Sequence, residues 1–85
     1  MNKKEEKMEK YIYDFLKNEM SDFLLREGKD VPLDKVKDFA KRNNKFCYNV
    51  VKFGNEYYFY FQDTSVYQLD IKESSATFIG RERNG

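Results

Sequence analysis

Apolar residues recur at Met8, Tyr11, Ile12, Phe15, Leu16, Met20, Phe23 and Leu24, in steps that trace one stripe along a helix. Glutamate and lysine dominate the positions between them, so the pattern predicts a first helix over about 4–26. Gly28 is placed to end it, because glycine enters the left-handed conformation of a helix C-cap with no Cβ penalty. A second helix is predicted over about 33–43, with Leu33, Val36, Phe39 and Ala40 on its inner side. Pro32 suits its first turn, where the missing N–H would be unpaired in any case. Asp34 lies near the positive end of its dipole and Lys41 and Arg42 near the negative end; Asn43 and Asn44 stop it.

After Lys45 the apolar period changes to two. Turn signals at Gly54-Asn55, Asp63-Thr64-Ser65 and Lys72-Glu73-Ser74-Ser75 divide the rest into strands near 46–53, 56–62, 66–71 and 76–79. A two-residue loop at Gly54-Asn55 sets Phe53 opposite Glu56, Val51 opposite Tyr58 and Val50 opposite Phe59. A three-residue loop at 63–65 sets Phe61 opposite Tyr67 and Phe59 opposite Leu69. Carried through all four strands, these registers collect Phe46, Tyr48, Val50, Tyr57, Phe59, Phe61, Tyr67, Leu69, Ile71, Ala76 and Phe78 on one face. Three turn assignments agreeing on one apolar face predict a four-stranded antiparallel meander. Two amphipathic helices covering that face give an α+β domain of order ααββββ, one domain for the 85 residues.

The same register places Cys47, Asn49, Val51, Phe53, Tyr58, Tyr60, Gln62, Val66, Gln68, Asp70, Thr77 and Ile79 on the opposite face. Both helices are already used, so nothing predicted in the chain covers it. Tyrosine and β-branched residues suit any open sheet, which is the plain explanation for them. A cluster of Val51, Phe53, Tyr58 and Tyr60, with Gln68 and Asp70 as polar neighbours, also has the make-up of a protein interface core.

Charge and composition narrow the classes. Hydrophobic residues at 40% suffice for a folded core, and charged residues at 36% cover its surface. The lone Cys47 excludes a disulfide scaffold, no run approaches the roughly 18 apolar residues of a membrane span, and the charged N-terminus has no signal-peptide core. A cytoplasmic protein with no membrane role is therefore expected. A net charge of +1 gives no general argument for nucleic acid, but the bases are uneven. Lys35, Lys37, Lys41, Arg42, Lys45 and Lys52 cluster in the middle of the chain, with Asp34 and Asp38 against them. They make a nucleic-acid-binding regulator the second reading.

Two family likenesses fail on inspection. The run Gly54 to Phe61 superficially resembles the aromatic strand of RNA-recognition motifs, but the element order differs, and Glu56 and Asp70 oppose phosphate on that face. A helix followed by a β-hairpin resembles winged-helix proteins, which need a third helix.

Catalytic chemistry finds little support. With no histidine, the usual general base and the commonest zinc ligand are absent, and one cysteine builds no thiolate metal site. The four glycines form no phosphate loop, and Cys47 has no evident partner to hold a thiolate. No catalytic residue, metal site or cofactor is assigned. The sequence points to a small non-enzymatic domain that binds another protein through Val51, Phe53, Tyr58, Tyr60, Gln68 and Asp70. In size and composition alone it is similar to phage and mobile-element inhibitors of host enzymes and defence complexes, anti-CRISPR proteins among them. A homodimer stacked through the open sheet face is the third reading.

Overall fold

The computed structural model describes residues 3–73 and 75–82, with side chains from Glu9 onward. Met8 of the apolar stripe and Ser74 of the last turn lie outside the described side chains. The fold is α+β, of the expected class: two helical segments lie on one face of a four-stranded antiparallel sheet of order β1-β2-β3-β4.

The N-terminal helix runs through α1 (Lys3–Asp14), a π-helical segment (Phe15–Met20) and α2 (Ser21–Glu27). The sequence reading gave one uniform helix; the π segment is new. Its cause is visible in the spacing of the core residues. Ile12, Leu16, Met20 and Leu24 are each at most 2% exposed, yet they are four apart. Four residues turn a straight α-helix by about 400°, so such a stripe drifts about 40° per step. Wider i→i+5 turns wind more slowly and hold the four side chains over the sheet. Gly28, at φ 86°, caps the helix by donating its N–H to the Leu24 carbonyl at 3.0 Å.

The second helix, α3, spans Leu33–Asn43. Pro32 stands just before the first turn rather than in it, and its carbonyl accepts the N–H groups of Lys35 and Val36. Phe23 and Phe39 stack at 4.1 Å between ring centres and join α2 to α3. Asn44 then turns the chain into the sheet. It is fully buried: its N–H donates to Ala40, its carbonyl accepts from Cys47, and its Oδ1 accepts the Phe46 N–H at 2.9 Å.

The strands are β1 (Cys47–Phe53), β2 (Glu56–Phe61), β3 (Ser65–Asp70) and β4 (Ser75–Arg81). The first hairpin has the expected register, with Phe53 opposite Glu56, Val51 opposite Tyr58 and Val50 opposite Phe59. The second differs. Phe59 faces Tyr67 and Tyr57 faces Leu69, because the loop is 62–64 rather than 63–65. Thr64 takes a positive φ of 74°, a strained position for a β-branched residue, held by its N–H bond to the Phe61 carbonyl. The Glu82 N–H donates to the Thr64 carbonyl, and Arg81 donates to the Asp63 carbonyl, so the end of β4 clamps this turn. Moving a loop by one residue shifts the pairing by two, so each side chain keeps its face.

Two bulges do change faces or burial. An irregularity between Cys47 and Asn49 in β1 places Cys47 in the core at 3% exposure and leaves Tyr48 41% exposed. The sequence reading had them reversed, since one extra residue inverts a period of two. A second irregularity, where Val66 pairs with Gly80 but Tyr67 with Phe78, leaves Ile79 in excess on β4. Phe78, expected under the helices, is 43% exposed: it touches Tyr67 at 5.4 Å between ring centres, but the helical layer covers the fourth strand poorly.

The core is otherwise where the pattern put it. Val50, Tyr57, Phe59, Phe61, Tyr67 and Leu69 pack under Ile12, Phe15, Leu16, Met20, Val36 and Ala40. Tyr67 meets Tyr13, Phe61 and Phe78 edge-on and ties helix to sheet. The Tyr57 hydroxyl is buried with no hydrogen-bond partner among the described residues. A buried hydroxyl without a partner opposes folding. Tyr57→Phe is therefore expected to leave stability unchanged or raise it by up to about 1 kcal/mol in urea unfolding. A clear loss would show that the hydroxyl is satisfied after all.

Candidate functional site

The face of the sheet turned away from the helices is built in three cross-strand rows. Phe53, Glu56, Asp70 and Ser75 form the first, and Val51, Tyr58, Gln68 and Thr77 the second. Asn49, Tyr60, Val66 and Gly80 form the third. All six residues singled out from the sequence stand in these rows: Val51, Phe53, Tyr58, Tyr60, Gln68 and Asp70. Phe53 is 74% exposed, the largest value among the exposed large hydrophobics, and Val51 is also exposed. Tyr58, Tyr60, Gln68 and Asp70 are half-buried by their neighbours. None of the residues of these rows belongs to the core cluster under the helices, although Val66 in the third row is buried.

Tyr48 joins the face through the β1 bulge, its ring 6.4 Å from that of Tyr60. The sequence reading missed it, because nothing in the residue types marks where a bulge falls. The Tyr48 hydroxyl donates to the Glu82 carboxylate, and that hydrogen bond holds its pKa up at about 12. The Tyr58 hydroxyl donates to Glu56 at 3.3 Å; burial first, then the Glu56 charge, raises its pKa. Both phenols therefore stay neutral and keep donating throughout the physiological range. Each hydroxyl is held by a carboxylate, so the rings are positioned and present an apolar surface with an acidic rim.

The charges on these rows are Glu56 and Asp70, directly opposite each other across β2 and β3. Asp70 accepts the Glu73 N–H at 3.3 Å. Neither carboxylate has an ion-pair partner among the described residues, where the pairs are Arg26 with Asp22, Lys35 with Glu27 and Arg42 with Asp38.

The basic set of the second reading is spread out and partly spent. Lys35 pairs with Glu27 at 3.3 Å and Arg42 with Asp38 at 2.6 Å. Lys52 donates to the Lys29 carbonyl at 2.9 Å and lies over the Tyr57 ring, while Lys45 lies over Phe46. Lys37 is half-buried on α3, leaving Lys41 exposed with no ion pair among the described residues.

The Cys47 thiol is buried and donates to the Asn49 carbonyl at 3.6 Å. Burial pushes its pKa up to about 11, against smaller opposing pulls from the Asn49 backbone and then from Lys41, so it is a protonated core group at neutral pH. Among the described residues no cluster of three or more acidic or thiol ligands could hold a metal ion, and no helix is long and apolar enough to cross a membrane. Comparison with family models, curated proteins and solved structures gives no match to this chain.

Proposed function

We propose that this chain is a protein-binding domain whose outer sheet face is its docking surface. The observation that carries the reading is an uncovered sheet face bearing Tyr48, Val51, Phe53, Tyr58 and Tyr60 side by side. A half-exposed tyrosine on an open sheet is ordinary, but contiguous apolar and aromatic surface on a small chain marks an interaction site. Phe53 inserts into the partner as an apolar anchor. Tyr58 and Tyr60 lose water from their ring faces, and Gln68 and Asp70 fix orientation through hydrogen bonds. The helices and core supply a rigid backing for these side chains. A domain of this kind suits an inhibitor or adaptor that acts by occupying a larger protein, as phage and mobile-element inhibitors do. The nucleic-acid reading draws no comparable support, because Lys35, Arg42, Lys45 and Lys52 already have local partners.

The test is affinity capture from lysate with the wild-type chain and with Tyr58→Ala plus Tyr60→Ala, both after nuclease treatment. Tyr58 and Tyr60 are only half-buried, so the double variant is expected to keep its circular dichroism spectrum while losing a stoichiometric protein that the wild type retains. Equal capture by both proteins would sink the reading. Partners lost to nuclease and to Lys41→Glu would transfer it to the basic helix.

A further inference from the structure

The geometry points to the chemistry of the partner, on the footing that the outer face is a docking surface. Glu56 and Asp70 stand opposite each other on neighbouring antiparallel strands, which places their Cβ atoms about 5 Å apart. Like charges in that position repel and destabilise the pairing unless a basic neighbour offsets them. None is present: the rows of this face hold no lysine or arginine, and among the described residues neither carboxylate is in an ion pair. Both residues are half-buried among their neighbours. Phe53 flanks Glu56 on one side, and the Tyr58 hydroxyl is bonded to it.

We propose that the face receives a basic segment of a partner protein, with an arginine seated between Glu56 and Asp70 against the rings of Phe53 and Tyr58. A guanidinium is planar and presents several N–H donors in a fixed fork, so one group reaches both carboxylates while its flat face stacks on an aromatic ring. Lysine supplies the charge but neither the fork nor the stacking plane. Burial of the arginine removes water from the pair and turns a local repulsion into attraction, which also gives the docking its orientation.

The experiment uses a random peptide-display library selected against the full chain, with the selected peptides remeasured on Glu56→Gln plus Asp70→Asn and on Tyr58→Ala plus Tyr60→Ala. Both substitutions in the acidic pair keep side-chain shape and remove charge. The expected pool is enriched in arginine, binds the charge-neutral variant about tenfold more weakly, and loses affinity as salt rises. The charge-neutral variant alone is also expected to melt a few degrees higher, since its repulsion is gone. Peptides without basic enrichment that bind it as well as wild type, yet are lost with the tyrosines, would overturn the arginine inference and leave the docking face standing. Peptides indifferent to both variants, or no enrichment at all, would overturn both. A concentration-dependent mass that Phe53→Asp reduces to monomer would overturn the basic partner in favour of a second copy. A lower melting temperature for the charge-neutral variant would remove the repulsion on which the inference rests.

Discussion

Phe59→Ala is expected to lower the unfolding free energy by about 4 kcal/mol, whereas Phe53→Ala should change it by less than about 0.5 kcal/mol. The two residues have the same side chain and lie on adjacent strands. Phe59 sits mid-strand in β2, an inner strand of the sheet, with Val50 opposite it on one side and Tyr67 on the other, and none of it is exposed. Truncation removes the whole ring from a packed interior and leaves a space that neighbours held by strand pairing cannot fill. Phe53 ends β1 at the Gly54 turn with 74% of its surface in water, so alanine there vacates little. A fold of this size has only several kcal/mol of stability in all, and the Phe59 variant should be close to unfolded at 37 °C. Urea titrations of the three proteins, read by circular dichroism, give the comparison directly. Similar midpoints for Phe59→Ala and wild type would show that the sheet face under the helices is not the energetic centre of the fold. A large loss for Phe53→Ala would mean that its ring is covered in solution and that the outer face is not free.

That contrast was present in the sequence because it depends on parity alone. Alternation in β1, β2 and β3 fixes which side of the sheet Phe59 and Phe53 occupy, and a hairpin misplaced by one residue moves the pairing by two and preserves it. The misassigned loop at 63–65 therefore did no harm to the face. What could not be read was any step that breaks the period. Cys47 and Tyr48 exchanged sides at a bulge that no residue type announces, because bulges answer to the twist of the whole sheet. The π segment was equally hidden: the four-residue spacing of Ile12, Leu16, Met20 and Leu24 fits either helix until there is a sheet beneath to demand alignment. Glu56 and Asp70 were legible as acids on the outer face, but their isolation was not. Whether Lys52 or Arg81 reaches them is a matter of register and turn geometry. In the folded chain Lys52 goes to the Lys29 carbonyl and Arg81 to the Asp63 carbonyl. Hence the aromatic part of the candidate site followed from pattern, and its electrostatics followed only from the fold.

Alkaline conditions should expose the thiol that the bulge turned inward. Cys47 is protonated in the folded chain up to about pH 11 because burial disfavours the thiolate, while an unfolded thiol ionises near its ordinary value of 9.0. Above that ordinary value the unfolded chain binds fewer protons than the folded one, so raising the pH draws the protein toward unfolding. The contribution is fully present below pH 9 and is lost as the pH rises through 11, by which point about 2 kcal/mol of stability has gone. Tyr67 acts in the same direction at slightly higher pH, since burial, followed by the charge of Glu9, lifts its pKa from 10.0 to about 12. Unfolding midpoints in urea, measured under reductant from pH 8 to 11, are expected to fall for the wild type. In Cys47→Ala they should fall less, with the difference opening between pH 9 and 11. The small cavity left by alanine lowers the whole curve without changing its slope. Parallel curves for the two proteins would mean that Cys47 ionises freely in the fold, and with it that the bulge leaves the thiol on the outer face beside Asn49.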